Sequence, residues 1–471
     1  MKNKKKIILK RIQATILCCL CLMMLLFYCS GCDSFVEVEV PDSQLSTPLV
    51  FEDKSTATAA LAEVYAKMRD AGMLSGSKTG LSYGLGLYAD ELDYYATTSE
   101  DGFLYHSNGL LPDAATVKNM WNSTYNQIYG ANAVIYGVEH SESLLTAERN
   151  QIKGEALFIR AILHFYLANT YGNVPYITTT DYNINRTAYK KSVSEIYQNA
   201  KQDLLEAVAL LPAEYVVTNR TRANRFAAHA LLARICLYQE SWAEAADQAS
   251  AVLLEESTYG LDDSLSETFL IGSTGTVFQF SAGYSPGNTL EALTFNFITN
   301  PPVDNALNLG IINAFEPGDQ RRNLWIEEIT DGTMVHYKAS KYKAGEGEMT
   351  QTEFSKVLRV AELYLIRSEA RARQGELSNA IDDLNVIRQK AGLGDTAAQT
   401  QDEILEAVLR ERRVELFTEF GHRFFDLKRT EKLNQVLNAI KPGWNVFNAL
   451  FPLPESELML NQNLQPQNEG Y

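Results

Sequence analysis

The side chains with which this chain could transform or hold another molecule are its histidines, a glycine-framed serine, clustered carboxylates and aromatic rings. Their spacing sorts them. Six histidines (His106, His140, His164, His229, His336, His422) stand far apart. None completes the His-Glu-x-x-His spacing that brings two imidazoles onto one helix face around zinc, so no metal or other cofactor is expected. Gly80-Leu81-Ser82-Tyr83-Gly84 spells a nucleophile elbow, but the preceding Ser-Gly-Ser-Lys-Thr cannot be the apolar strand that motif requires. Asp90, Glu91 and Asp93 could supply paired carboxylates for glycoside hydrolysis, whose outcome depends on a separation in space that sequence spacing does not encode. With 58 acidic residues such clusters arise freely, and no catalytic residue is assigned. Aromatic rings in stretches without helical period have another use. A ring face stacks on the apolar C–H face of a sugar while polar neighbours bond its hydroxyls. Tyr83, Tyr94, Tyr95 and Tyr105 in one such stretch, and Tyr284 and Trp325 in another, are the candidate ligand contacts. Packing is the competing reading for each. Trp121 and Trp242 lie on helical stripes and are assigned to the core.

The elements that must position these residues are helical. From Val357 to Leu393 the apolar residues Val357, Val360, Ala361, Tyr364 and Leu365, then Leu377, Ala380, Ile381, Leu384 and Ile387, recur at three and four. This spacing predicts two helices joined at Gly375. Ser368 and Ala380, twelve apart, mark a close approach. Ala233 and Ala245 repeat that spacing within Ala223–Leu254, which suggests stacked hairpins like those of tetratricopeptide proteins, although no strict repeat is present. Further helices are expected over Thr56–Asp70, Trp121–Val138, Gln151–Tyr171 and Val193–Leu211. In the second of these, Trp121, Tyr125, Ile128 and Tyr129 form a stripe assigned to packing. Asp402–Phe420 reads as a charged helix with pairs at i,i+4. Gly72–Asn108 and Tyr259–Gly347 break the rhythm. The latter is expected to hold loops and a small sheet, the kind of irregular segment on which binding residues concentrate.

The amino terminus carries a different signal. Lys2, Lys4, Lys5, Lys6, Lys10 and Arg11 precede an apolar run from Ala14 to Tyr28, too short for a bilayer span of about 20 residues and suited to a signal-peptide core. Ser30-Gly31-Cys32 follows, small residues before a cysteine that resemble a bacterial lipobox. Cys32 is the expected lipidation site and Cys29 the alternative; a plain secretory signal is the competing reading. Cys236 alone lies beyond this region, so the body forms no internal disulfide. Once residues 1–32 are set aside, 36 basic residues face 58 acidic ones, a balance that repels nucleic acid. The expected division is a leader over 1–31, a lipidated tether over 32–55, a helical region over 56–255, a loop-rich lobe over 256–350 and a second helical region over 351–471.

Several stretches together resemble the SusD/RagB family of surface nutrient-binding lipoproteins: GEALFIRAILHFYLANTYGNVPY, Lys341-Tyr342 before VLRVAELYLIRSEA, DLNVIRQKAGL, RERRVELFTEFGHRFFDLKR and LFPLPESELMLNQNLQPQNEGY. They occur in the family's order across the chain after Cys32. The resemblance implies a mostly α fold with tetratricopeptide-like hairpins scaffolding a looped lobe. It also implies an outer-membrane, cell-surface lipoprotein without catalytic activity, which passes an oligosaccharide, or in some members a peptide, to a SusC-like TonB-dependent barrel. Asp33–Phe51 and Tyr259–Gly347 are the candidate barrel contacts. A surface glycan hydrolase and a tetratricopeptide assembly lipoprotein remain the alternatives.

Overall fold

The computed structural model describes residues 4–8, 10, 11, 15, 16, 47–97, 100–283, 289–345, 348 and 350–471. Cys29, Cys32, Tyr284 and residues 33–46 of the expected tether lie outside the described residues. Met1–Leu49 and Val50–Tyr471 form two separate units. In the first, residues 4–8 are helical and Ile7 and Ile8 are exposed.

The second unit is mostly helical. Helix α1 (Lys54–Asp70) starts where Asp53 accepts a hydrogen bond from the Ser55 N–H (2.8 Å), which satisfies a donor that the first turn leaves open. Leu61, Val64, Tyr65 and Met68 are buried, as their spacing predicts. Helix α2 (Leu81–Tyr88) overturns the irregular reading of this stretch: all eight residues are buried. Ser82 is buried within this helix, where it accepts a bond from the Phe420 N–H (2.8 Å), and is not on the exposed strand-to-helix turn of a nucleophile elbow. A short strand β1 (Leu92–Tyr94) and helix α3 (Glu100–His106) follow. Helices α4 (Ala115–Glu139), α5 (Thr146–Tyr171) and α6 (Val193–Leu210) pack side by side. Every residue of α5 from Gly154 to Tyr171 is buried, the condition of a helix surrounded on all sides. Its polar groups therefore need partners. Arg160 grips Asp203 at 2.6 and 2.7 Å, and Glu155 takes Arg222 at 2.6 Å.

Two hairpins stack beyond α6: α7 (Arg225–Tyr238) with α8 (Trp242–Leu253), and α9 (Val360–Arg373) with α10 (Leu377–Lys390). Gly375 takes φ +81° at the second turn, and the Ser368 hydroxyl donates to the Ala380 carbonyl at 2.6 Å. That bond is the close approach the twelve-residue spacing predicts. Val357 departs from expectation. It belongs to strand β6 (Ser355–Arg359), which pairs antiparallel with β2 (Thr276–Phe280), and the helix begins only at Val360. Two further ladders join β1 to β3 (Asn305–Leu307) and β4 (Ile326–Thr330) to β5 (Val335–Ala339). The described residues of 259–347 thus hold the expected loops and small sheets, together with short helices that were not expected.

Helix α11 (Gln401–Glu415) corrects the reading of its charges. They pair across elements, in the core, instead of along the helix. Arg321, fully buried, holds Asp319 (2.7 Å), Glu411 (2.6 Å) and Glu415 (3.0 Å). Arg359 holds Glu415 (2.8 Å) and Glu419 (2.9 Å), and Lys341 donates to the Glu415 carbonyl (2.8 Å). Arg412 meets Asp426 (2.7 Å). The segment thus ties the carboxyl-terminal helices to the looped lobe.

Beside this network Asp90 captures both Arg413 (2.8 Å) and Arg423 (2.7 Å). Neighbouring Glu91 is fully buried and accepts only a long bond (3.4 Å) from the Thr418 N–H. Burial, aided by the Asp90 charge, pushes its carboxyl up to about 8. The folded pKa lies above the unfolded one, so the fold favours the protonated form. That stabilisation is complete below the ordinary glutamate value and is lost as pH rises through about 8. Lys341 and Lys356 titrate in the opposite sense, driven down by burial, but they are common to wild type and variant. Glu91→Gln should therefore lose less stability than wild type between about pH 5 and about pH 9. Urea midpoints at the two pH values check this; parallel losses would place Glu91 in an ionised state throughout.

Candidate functional site

The β1–β3 ladder fixes where the first candidate aromatics emerge. Leu92, Asp93 and Tyr94 face Leu307, Ala306 and Asn305, and the Tyr95 N–H continues the pairing to the Asp304 carbonyl at 2.6 Å. Successive residues of an extended strand point to opposite sides. Tyr94 accordingly turns toward α3, its ring 6.2 Å from that of His106 and against Gly102, where a Cβ would come within 2.4 Å of the Tyr94 ring. Tyr95 turns toward β5 and meets the His336 ring edge-to-face, centroids 5.0 Å apart and planes at 88°. Both tyrosines are half-buried. They cannot form one stacking platform, as a pair adjacent in sequence might suggest.

Around Tyr95 the loop 296–304 and the β4–β5 hairpin come together. Asn300 is the link: its carbonyl oxygen contacts His336 Nδ1, and its amide donates to the Met334 carbonyl at 2.8 Å. The hairpin turn is set by Asp331, which accepts from the Thr333 and Met334 N–H groups (2.8 and 2.9 Å), and by Gly332 at φ +87°. The positive φ, not lack of space, disfavours a β-branched residue at that position. Apolar side chains on the same loop and hairpin are open to solvent: Ile298 is 88 % exposed and Val303 71 %, with Met334 half-exposed. Below them Asp304 accepts from the Tyr83 hydroxyl (3.2 Å) and pairs with Lys78 (3.2 Å). The result is a partly open aromatic face with an apolar rim and ionic groups at its base. It can stack against a flat apolar surface. Among the described residues no three His, Cys, Asp or Glu side chains converge as a metal ligand set.

Three candidate residues are corrected by burial. Tyr83, Tyr105 and Trp325 are each 1 % exposed and present no ring face. Tyr83 sits on α2; Tyr105 bonds the Thr116 hydroxyl at 2.9 Å; the Trp325 indole N–H donates to the Leu265 carbonyl at 3.1 Å. Glycines and tyrosines without periodicity resembled loops, but here they form a helix buried on every side, where no polar face exists to reveal a period. Tyr284 lies outside the described residues. Asn300 and His336 escaped the sequence reading. The signal for them was faint: Asn-Pro-Pro between two β-leaning runs marks a constrained turn.

Two family models match the chain. One, described as starch-binding associating with outer membrane, matches residues 88–237, and the other, described as the SusD family, matches residues 317–471. The first span takes in Tyr95 and the second His336, while Asn300 falls between them. SusD-like protein P25 of Formosa agariphila is 22 % identical over 519 residues, covering 95 % of this chain and 98 % of that protein. Among solved structures, a SusD superfamily protein from Bacteroides vulgatus superposes with a TM-score of 0.78 at 22 % identity, covering 89 % of this chain and 100 % of that one. A laminarin-binding SusD-like protein superposes with a TM-score of 0.73 at 24 % identity, covering 88 % and 99 %.

Proposed function

This chain belongs to the SusD/RagB family, and on that premise we propose that it captures an oligosaccharide at the outer face of an outer membrane and delivers it to a SusC-like TonB-dependent barrel. The observation that carries the reading is the half-buried ring of Tyr95, braced edge-to-face by His336, with exposed Ile298, Val303 and Met334 on the adjoining loop and hairpin. A pyranose ring offers a complementary apolar face. Capture on a rigid ladder loses little conformational entropy, so a modest contact area suffices for useful affinity. The family model's description, starch-binding associating with outer membrane, and the laminarin-binding relative support a glycan as the ligand. None of the described helices is long and apolar enough to cross a membrane; in this reading the chain is tethered through a lipid on Cys32, and translocation falls to the barrel. Residues 259–347 and the tether are the proposed barrel contacts. The protein acts by binding alone.

Tyr95→Ala should weaken binding of a glycan that the wild type retains by about 1–3 kcal/mol. Tyr94→Ala should have a smaller effect, because that ring points toward α3. Affinity electrophoresis through gels containing laminarin, starch, xylan or levan compares the three proteins. Equal retardation of wild type and Tyr95→Ala would move the site off this ladder. A wild type retarded by no glycan would count against glycan capture.

A further inference from the structure

A second concavity lies on helix α4, away from the β1–β3 ladder. Asn122, Tyr125, Asn126 and Tyr129 recur at i, i+3, i+4 and i+7 and so share one face of that helix. The stripe assigned to packing therefore divides. Trp121 and Ile128 are core, Tyr125 is half-buried, and Tyr129 is 51 % exposed. Facing it, the short helix Tyr182–Asn185 presents the ring of Tyr182, 73 % exposed, with the Arg186 guanidinium 6.0 Å from its centroid. Glu457 and residues 460–464 form the third side of this open cleft, whose volume is about 720 Å³, within the range of small-molecule clefts.

The walls are preset by bonds between segments remote in sequence. Asn461 donates to the Ala188 carbonyl (2.8 Å), Asn463 to the Thr187 carbonyl (2.7 Å) and Tyr125 to the Pro175 carbonyl (2.9 Å). The Asn185 amide donates to the Thr179 carbonyl (2.8 Å), but its side-chain oxygen is buried without a protein partner. That buried oxygen belongs to the wall and is closed to a ligand, whereas the side-chain amides of Asn122 and Asn126 are exposed and free to bond hydroxyls. In a chain of net charge −16 the cleft is nearly neutral, with Arg186 and Glu457 its only charged residues. Its walls combine helices, turns and the irregular segment through Pro175 and Ile177, and none of these belongs to a β-ladder. Two exposed tyrosine rings and exposed amides suit a neutral, hydroxyl-rich chain.

We propose that the cleft between α4, Tyr182 and residues 457–464 is a second saccharide-binding site. It deepens the glycan-capture reading and rests on it. With two sites on one molecule, a long glycan can be held at both, and the second contact is made at high effective concentration. The test uses the full-length chain in detergent, titrated calorimetrically with laminarin, starch, xylan and levan and with short oligosaccharides cut from each. Variants are Tyr129→Ala combined with Tyr182→Ala, and Tyr95→Ala; exposure of the first two rings keeps their removal from disturbing the core. For a short oligosaccharide, the wild type should bind more than one equivalent, and each variant should lose a different one. For the long polysaccharide, the cleft variant should weaken affinity ~10-fold or more. Wild-type behaviour of the cleft variant, with Tyr95→Ala impaired, would overturn the second site and leave glycan capture standing. Loss in the cleft variant alone would sustain the cleft and displace the Tyr95 site. No binding by wild type would overturn both. A cleft variant that binds glycan normally but no longer co-purifies with a barrel would make the cleft a protein-contact surface and overturn the proposal.

Discussion

Arg321→Ala should lower the unfolding free energy by about 3–5 kcal/mol, because it removes one partner from a buried ionic cluster. The guanidinium is fully buried and serves three carboxylates, Asp319, Glu411 and Glu415. Glu415 keeps Arg359 at 2.8 Å and Glu411 keeps Arg388 at 3.4 Å, but Asp319 loses the bidentate grip that Arg321 gives it. Alanine also leaves a void where a long side chain stood. The left-over carboxylates are then driven toward their protonated forms, so their folded pKa values rise above the unfolded ones. The deficit should consequently narrow as pH falls. Arg321→Lys keeps the charge without the fork and should fall between the two. Urea denaturation followed by far-ultraviolet circular dichroism, at neutral and mildly acidic pH, measures both effects. A loss under about 1 kcal/mol, or one independent of pH, would mean that the cluster re-pairs without Arg321.

The second large effect is one of location. Cys32→Ala should abolish acylation and release the protein from the membrane fraction. Acyl chains contribute about 0.8 kcal/mol per buried CH₂, and an acidic body offers no basic patch to hold an anionic surface in their place. Mass spectrometry of the amino-terminal peptide reads the acylation, and fractionation of cells lacking the neighbouring barrel reads the anchoring. In cells that have the barrel, detergent extraction of the wild type should recover a much larger outer-membrane protein in near-equal amount. Cys32→Ala protein that stays with the outer membrane when no barrel is present would transfer the anchor to Cys29 or to another segment.

The scaffold was legible because its signals are local. Helical period predicted α1, α4, α5 and α6 to within a few residues at most ends, and the Ser368–Ala380 spacing predicted a contact that exists as a hydrogen bond. The charges of α11 were misread for the opposite reason. Glu411, Glu415 and Arg412 sit at spacings that suit intrahelical pairs, yet their partners are Arg321, Arg359 and Asp426, remote in the chain or around a turn. Spacing along one helix carries no information about which face meets another element. The aromatics failed in the same way. Tyr83, Tyr105 and Trp325 differ from Tyr95 in burial alone, and burial is decided by the assembled fold. Tyr129 is the mirror case, an exposed ring within an apolar stripe.

The ring cluster that closes the core joins Tyr88 to Phe424, Trp444 and Phe451 at centroid distances of 5.1 to 6.0 Å. Asn468 is fastened to the Tyr171 and Phe451 carbonyls (2.8 and 2.7 Å). Contacts this distant in sequence form late, since a long loop must be closed before they contribute anything. During synthesis, therefore, α2 and the Tyr171 end of α5 wait for partners that emerge several hundred residues later. A nascent chain in that condition stays unfinished and threadable. For a protein proposed to leave the cell interior by its amino-terminal leader, delayed completion keeps the polypeptide narrow enough to pass a translocation pore.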